Sequence, residues 1–202
     1  MAIFNVYKRK RVGTFVVFYS MFVIWYLLFA AFGKEYTAAQ ENLKMYSGSY
    51  ALMDGDTGRV LTGKEITNPM ANASTTKILT CIVTLENCSL EDVVTISANA
   101  AAQPKVRYGM KEGETYPLRE LVYGLMLESY NDCAVAIAEH VAGSEENFAK
   151  MLNEKAKEIG CKDTYFITPN GLDAENENGF HHTTAEDLCR MMAYCVWESP
   201  MK

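Results

Sequence analysis

No charged side chain occurs between Val12 and Gly33, and no acidic residue precedes Lys34. The uncharged run is rich in Phe, Val, Tyr, Trp and Leu, and four basic residues at positions 8–11 come directly before it. As a helix, with a rise of about 1.5 Å per residue, it would span roughly 30 Å of hydrocarbon. The run therefore predicts a transmembrane helix and disfavours a buried core helix.

The run is also longer than the apolar core of about 7–15 residues that is typical of cleaved signal peptides. Residues 1–33 are therefore interpreted as a cytoplasmic basic segment and an uncleaved signal-anchor. Ala31-Phe32-Gly33 is nevertheless an acceptable cleavage site, so cleavage after about Gly33 stays open. The basic flank keeps the N-terminus in the cytoplasm and sends everything after Gly33 across the membrane.

Basic residues are scarce in the rest of the chain. Four of the 19 Lys and Arg residues lie at positions 8–11, so 15 basic and all 25 acidic residues follow, a net charge of −10. Nucleic-acid binding needs a basic patch or stripe, so this balance argues against a nucleic-acid partner. With 202 residues, 49% of them hydrophobic, the chain is long enough for one domain with a proper core.

Metal-binding patterns are absent as well. There are three histidines, and the six cysteines form no C-x-x-C pair and no metal-ligand spacing with histidine. Export across a membrane would permit disulfides, but several cysteines lie in apolar helical patterns and most are interpreted as buried thiols. They are Cys81, Cys88, Cys133, Cys161, Cys189 and Cys195.

The remaining pattern divides the chain into a polar stalk at 34–48 and a folded part at 49–202. It predicts a β-hairpin at about 50–62, an extended segment at 93–96, an irregular stretch at 97–116 and a polar loop at 172–182. A Thr183–Glu186 capping box predicts the start of the last helix. Ser144 can cap the helix before it, and Gly143 and Gly160 are predicted to end two of the helices. The predicted helices are 74–86, 117–127, 132–141, 145–159 and 183–197.

Ser74 and Lys77 open the first of these helices after a Pro-containing loop. Positions i and i+3 share one helix face, so the two side chains can meet. A serine hydroxyl needs an adjacent base to become a nucleophile, and a desolvated lysine can serve as that base. The alternative is a serine cap followed by a solvated lysine.

Ser129 and Asn131 lie in the joint between two apolar helices. Either of them could simply cap the helix that follows. Together with Ser74 and Lys77, however, they complete two of the three motifs S-x-x-K, S-x-N and K-T-G, which mark penicillin-recognising serine enzymes.

The sequence around these motifs resembles that of the serine-type D-alanyl-D-alanine carboxypeptidases, the low-molecular-mass penicillin-binding proteins. The resemblance covers about residues 49–197. It implies a β-lactamase/transpeptidase-like α/β (α+β) fold, with an antiparallel sheet beside a mostly helical lobe and the site between them. The matching stretches are 52–54, 57–61, 73–80, 121–127, 129–141, 168–172 and 183–188.

The resemblance also implies the chemistry. Ser74 would be the nucleophile on the terminal D-Ala-D-Ala bond of a peptidoglycan stem peptide, Lys77 its general base and Ser129 a proton relay. Asn131 would bind the substrate amide and hold Lys77. No metal or organic cofactor is implied, β-lactams would be covalent inhibitors, and the location would be the outer side of a bacterial cell membrane. We expect structural roles for the histidines, which are His140, His181 and His182.

The third motif is missing, because no Lys-Thr-Gly or Lys-Ser-Gly follows Asn131. In the family, that triplet binds the substrate carboxylate from a strand that follows the helix ending here near Trp197. The sheet would accordingly be incomplete, with one hairpin of it in this chain. We therefore expect an N-terminal part of a longer enzyme, with little or no carboxypeptidase activity of its own.

Three other interpretations stay open. A class A β-lactamase shares S-x-x-K, but Tyr130 replaces the Asp of its S-D-N motif, and residues 168–182 contain no E-x-x-L-N pattern. The missing triplet also fits a non-catalytic, membrane-tethered binding protein or remnant of the same fold. A plain membrane-anchored helical protein with chance motifs is disfavoured by the ordered flanking matches.

Overall fold

The computed structural model describes Tyr26 and residues 45–198. The chain divides into two units, 1–47 and 48–202, and the second carries all the elements described below. The predicted signal-anchor and stalk fall almost entirely outside the described residues. Within the described part of the chain, no helix is both long enough and apolar enough to cross a membrane.

The strands form three separate antiparallel pairs among the described residues. The first pair is the predicted hairpin, whose turn is fixed by Asp54, because its carboxylate accepts hydrogen bonds from the backbone N–H and hydroxyl of Thr57. Gly58 completes the turn with a φ of 67°. The strands are β1 Tyr50–Met53, β2 Val60–Lys64, β3 Val93–Thr95, β4 Thr115–Pro117, β5 Glu175–Asn176 and β6 Gly179–Phe180.

Six α-helices lie within residues 45–198, and the five longer ones follow the apolar periodicity of the sequence. Ser144 caps helix α5 (Glu145–Ile159) by accepting the N–H of Asn147. Gly143 ends helix α4 (Asn131–Ala142) and Gly160 ends α5, both in the left-handed conformation, as predicted. The helices are α1 Thr76–Asn87, α2 Ala98–Ala101, α3 Leu118–Leu127, α4 Asn131–Ala142, α5 Glu145–Ile159 and α6 Ala185–Trp197.

The predicted capping box of α6 is wrong by one residue. Thr184 is the cap and accepts the N–H of Asp187. Thr183 cannot serve because its backbone pairs with Met70 and its hydroxyl shares a hydrogen bond with Thr164. Tertiary pairing therefore prevails over the local capping pattern.

The stretch 97–116 is more ordered than predicted. It begins with α2, whose N-terminus is capped by Ser97, and ends with β4, which pairs with β3. Each of these elements has only three or four residues, which is too few for an apolar period to show in the sequence.

Helix α4 lies at the centre of the helical lobe, as its almost uniformly apolar sequence predicts. One core cluster packs it against α3 and the β3–β4 pair. A second cluster packs it against α1, α5 and α6, with Phe148 and Phe166 fully buried. The predicted α/β class with antiparallel strands beside a helical lobe is confirmed.

The six cysteines are free thiols, and Cys81 and Cys133 are buried. Desolvation raises the pKa of Cys81 to about 11 and that of Cys133 to about 12. The other four are half-buried, so the prediction that most of the six are buried is wrong.

Candidate active site

Ser74 lies in a 3₁₀ turn, Ala73–Thr75, and not within the α-helix that its motif predicts. Helix α1 begins two residues later at Thr76, and Ala73 has a φ of 46°. A left-handed conformation is costly for a residue with a side chain and is frequent at functional sites. The turn leaves Ser74 exposed to solvent, where a substrate can reach its hydroxyl.

Lys77 is 2% exposed, so the alternative of a serine cap with a solvated lysine is wrong. Its Nζ donates to three oxygens: Ser74 Oγ at 3.0 Å, Asn131 Oδ1 at 3.0 Å and the backbone carbonyl of Asn170 at 2.8 Å. An ammonium group has three donors, and all three are used. The site therefore holds the lysine in one orientation.

Burial lowers the pKa of Lys77 from 10.5 to about 8. At pH 7 about one molecule in ten then carries a neutral amine, against about one in 3,000 for an ordinary lysine. A neutral amine has two donors and one lone pair. Because the oxygens of Asn131 and Asn170 accept hydrogen bonds, they take the two donors, and the lone pair faces Ser74.

Asn131 does not cap α4 with its side chain. Tyr130 is at the cap position, and no side-chain cap hydrogen bond forms there. Instead, Asn131 Oδ1 accepts from Lys77, 54 positions away in sequence, so the interpretation of Asn131 as a simple cap is wrong. Asn131 is 5% exposed, and its backbone N–H donates to Val106.

Ser129 lies at the edge of this cluster. It is half-buried and left-handed, with a φ of 61°. Within the described residues, its hydroxyl makes no hydrogen bond with Ser74, Lys77 or Asn131. The structure thus brings three of the four predicted residues into direct contact and places the fourth two residues from Asn131.

A second chain of hydrogen bonds, which the sequence did not predict, links His181 to the Ser74 turn. His181 Nδ1 accepts the backbone N–H groups of Ile167 and Thr168, so its Nε2 carries the proton. Nε2 donates to Thr76 Oγ1 at 2.8 Å, and that hydroxyl donates to the carbonyl of Ala73 at 3.0 Å. Burial, with a smaller contribution from His182, lowers the pKa of His181 to about 4, so the ring is neutral.

The other two histidines are also bonded or paired. His182 Nδ1 donates to the carbonyl of Phe180, and its Nε2 lies 3.6 Å from a carboxylate oxygen of Asp163. His140 Nε2 lies 3.5 Å from a carboxylate oxygen of Asp92.

Gly171 packs directly against the Ser74 turn. A Cβ at this position would lie 1.9 Å from the carbonyl oxygen of Ala73, and the backbone φ is +81°. Both facts require glycine here. The neighbouring carbonyl of Asn170 is a partner of Lys77, so the segment 169–172 holds both the base and the turn.

The loop 103–109 covers the side of the site next to α4. Asp132, which is fully buried, accepts the backbone N–H groups of Tyr108 and Gly109 at 2.9 and 2.8 Å. Gln103 Oε1 accepts from the side chain of Asn170. Asp132, the residue after Asn131, therefore ties the loop to the first turn of α4.

These features agree with the comparisons with known proteins. The S11 peptidase family model, described as D-alanyl-D-alanine carboxypeptidase, matches residues 35–202. The D-alanyl-D-alanine carboxypeptidase DacF of Bacillus subtilis is 36% identical over a 167-residue alignment that covers 80% of this chain and 42% of DacF. Escherichia coli DacD is 35% identical over 168 residues, which are 78% of this chain and 42% of DacD.

Solved structures give the same result. The D-alanyl-D-alanine carboxypeptidase DacD of Francisella tularensis superposes with a TM-score of 0.73 at 30% identity, covering 79% of this chain and 39% of that one. Penicillin-binding protein 6B of Escherichia coli superposes with a TM-score of 0.70 at 31% identity, covering 78% of this chain and 52% of that one. The chain spans about two fifths of the length of these curated relatives. Over that span, the chain belongs to the D-alanyl-D-alanine carboxypeptidase family of S11 peptidases.

Proposed function

We propose that this chain carries the nucleophile and base of a serine D-alanyl-D-alanine carboxypeptidase that acts on peptidoglycan stem peptides. The observation that carries the proposal is the buried Lys77 amine, which is bonded at once to Ser74, Asn131 and Asn170. This arrangement activates a hydroxyl without a histidine or a metal ion.

In the acylation step, Ser74 Oγ attacks the carbonyl carbon of the penultimate D-alanine, and its proton passes to Lys77 Nζ. The C–N bond of the tetrahedral intermediate then breaks, and the leaving D-alanine amine takes a proton through Ser129. The N-terminal ends of α1 and α4 both face the site, and their partial positive charge stabilises the developing oxyanion. Water then hydrolyses the Ser74 ester and releases the shortened peptide.

Asn131 has two roles in this proposal. Its Oδ1 fixes Lys77, while its side-chain amide is 3.4 Å from the carbonyl of Pro104 and can turn to a substrate carbonyl. Because the bond to Pro104 is long, exchanging it for a substrate bond costs little.

A β-lactam would acylate the same hydroxyl, because its strained amide mimics the scissile bond. Relatives named as penicillin-binding proteins share the fold, and they support this part of the proposal. The test is to label the native protein with a fluorescent penicillin and to locate the adduct by peptide mass spectrometry. We expect one adduct on Ser74, none in Ser74→Ala, and normal labelling in the control Ser49→Ala.

Two outcomes would overturn the proposal. An adduct on another residue would remove Ser74 as nucleophile, and no adduct in the native protein would favour a non-catalytic remnant. Rapid hydrolysis of a chromogenic cephalosporin would instead favour the β-lactamase interpretation.

For location, we propose that residues 12–33 anchor the chain in the bacterial cell membrane, with the catalytic part outside. The uncharged run and its basic flank support this topology. Protease added to intact spheroplasts should digest residues 48–198. Protection of that part until the membrane is permeabilised would contradict the topology.

A further inference from the structure

Three side chains with metal-binding atoms meet at the end of the helical lobe remote from Ser74. They are Cys88, Asp92 and His140, whose ligand atoms all lie within 4.8 Å of one another. His140 Nε2 is 3.5 Å from Asp92 Oδ2. In a tetrahedral zinc site, with bonds of about 2.0–2.3 Å, ligand atoms lie roughly 3.3–3.8 Å apart, so small side-chain movements would complete the geometry.

Each of the three residues has a defined position. Cys88 is the C-cap of α1, donates its N–H to Thr84, and packs its side chain against the core. The carboxylate of Asp92 accepts a hydrogen bond from the N–H of Ser89, and its backbone carbonyl accepts one from the N–H of Leu118. His140 is in the last turn of α4. The three come from separate elements and need no refolding to meet.

The local field favours a cation here. Helices α1 and α4 both end at this cluster, and a helix C-terminus carries a partial negative charge. The carboxylate of Asp92 adds a full negative charge. The side chains of His140 and Asp92 are 26% and 38% exposed, so an ion can enter from solvent.

We propose that Cys88, Asp92 and His140 form a site for a divalent ion of the zinc class. A thiolate sulfur, a carboxylate oxygen and an imidazole nitrogen are the ligands that zinc prefers, and water would supply the fourth position. The alternative is a simple His140–Asp92 ion pair beside a core thiol. The sequence predicted no metal site, because 48 positions separate Asp92 from His140 and no spacing rule covers such a distance.

The site would clamp two helices that also build the active site. Lys77 and Asn131 lie in the first turns of α1 and α4, whereas Cys88 and His140 lie at their C-terminal ends. A bound ion would therefore fix the two helices at one end while Lys77 and Asn131 join them at the other. The role is structural, and it does not depend on acylation of Ser74.

The test uses the full chain in detergent, purified without a polyhistidine tag. Zn²⁺ is titrated by calorimetry, and Co²⁺ is used as an absorbing probe, since a thiolate ligand gives a charge-transfer band in the near ultraviolet. We expect one equivalent of Zn²⁺ to bind, with a rise in melting temperature. Cys88→Ser and His140→Gln should weaken binding at least tenfold, and Cys88→Ser should abolish the Co²⁺ band.

The chain offers two matched controls. Cys189→Ser removes a half-buried thiol elsewhere. His182→Gln breaks the other His–carboxylate pair, with Asp163 at 3.6 Å, which belongs to no group of three metal-binding side chains among the described residues. Both should bind Zn²⁺ as the wild type does. Absence of Zn²⁺ binding, or equal loss in the controls, would overturn the proposal. If Cys88→Ser does not fold, the half-exposed His140→Gln decides.

Discussion

The protonation state of Lys77 decides when Ser74 can react. Its pKa of about 8 leaves the amine mostly charged at pH 7, and each step towards pH 8 increases the fraction that can accept a proton. We therefore expect the acylation rate with a β-lactam to rise about tenfold from pH 6 to pH 7 and to level off above pH 8. Stopped-flow measurement of acylation across this range tests the expectation. A flat profile would show that another group is the base.

Replacing Lys77 with Arg keeps the charge but removes the base. A guanidinium does not lose its proton in a protein, so it cannot accept one from Ser74. We expect Lys77→Arg to slow acylation by about 10²–10⁴-fold, the usual contribution of a general base. Lys64→Arg, on the exposed end of β2, is the control and should acylate normally. Wild-type rates in Lys77→Arg would contradict the proposed role.

Gly171 permits the close approach of its segment to the Ser74 turn. Gly171→Ala would push a methyl group into the Ala73 carbonyl, so the turn must shift, and we expect a loss of about 3 kcal/mol or more in the free energy of unfolding. Gly109→Ala is the matched control, since Gly109 has a φ of +93° with nothing within 4 Å of the added Cβ. Gly109→Ala should lower the free energy of unfolding by about 1 kcal/mol. Urea unfolding of both variants measures the difference.

His181 makes stability depend on acidity. Because its folded-state pKa of about 4 lies below the ordinary histidine pKa of 6.5, the neutral ring contributes stability that is present above pH 6.5 and lost as pH falls to about 4. Urea unfolding of the wild type should show this loss. In His181→Gln the dependence should be reduced over the same interval. An unchanged profile in His181→Gln would contradict the assignment.

At the level of elements, Asp132 couples the first turn of α4 to the loop 103–109. Asp132→Asn replaces one acceptor oxygen by an NH₂ group, which cannot accept the N–H of Tyr108 or Gly109. We expect a loss of about 1–3 kcal/mol and faster hydrogen exchange at these two amides. Asp54→Asn, in the exposed hairpin turn, should change exchange only near Thr57. Unchanged exchange in the loop would contradict this coupling.

The long elements could be predicted because each has enough residues for an apolar period and carries its own boundary signals. Ser144, Gly143 and Gly160 are such signals, and all three are used as predicted. The short pair β3–β4 and helix α2 have no such period. The Thr183 error has another cause, because the competing partner, Met70, is more than a hundred positions away.

The same distinction applies to the site. Ser74 and Lys77 could be paired from their spacing alone, and Asn131 from the family motif. The third partner of Lys77 could not, because it is the backbone carbonyl of Asn170, and a carbonyl has no signature in the sequence. The contact of His181 with Thr76 could not be predicted either, since the sequence does not reveal that a histidine in a loop supports the nucleophile turn.

The whole molecule exposes an apolar surface along β1 and α6. Leu52, Met192 and Val196 are each about half exposed there, beside the backbone of a two-stranded hairpin. Hairpins of this kind are marginally stable without further strands or packing. The hairpin here is stabilised by its contacts with α6.

For the 202-residue chain as a whole, we expect little release of D-alanine from a D-Ala-D-Ala peptide. These 202 residues contain no Lys-Thr-Gly after Asn131, the motif that binds the substrate carboxylate in the family. D-Alanine should be measured by a coupled oxidase assay, with Ser74→Ala as the blank. Turnover well above that blank would contradict the expectation and show that other residues bind the carboxylate.

The contrast in exposure between Ser74 and Lys77 has a consequence for chemical proteomics. Amine-reactive esters modify lysines that solvent reaches, and Lys77 is 2% exposed with its amine hydrogen-bonded to three oxygens. Such reagents should modify exposed lysines such as Lys64 and leave Lys77 unmodified. A probe with a serine-directed electrophile should instead react at Ser74, although the reactivity of Ser74 depends on Lys77. In a labelling experiment on intact protein, the site would therefore be detected through its serine alone.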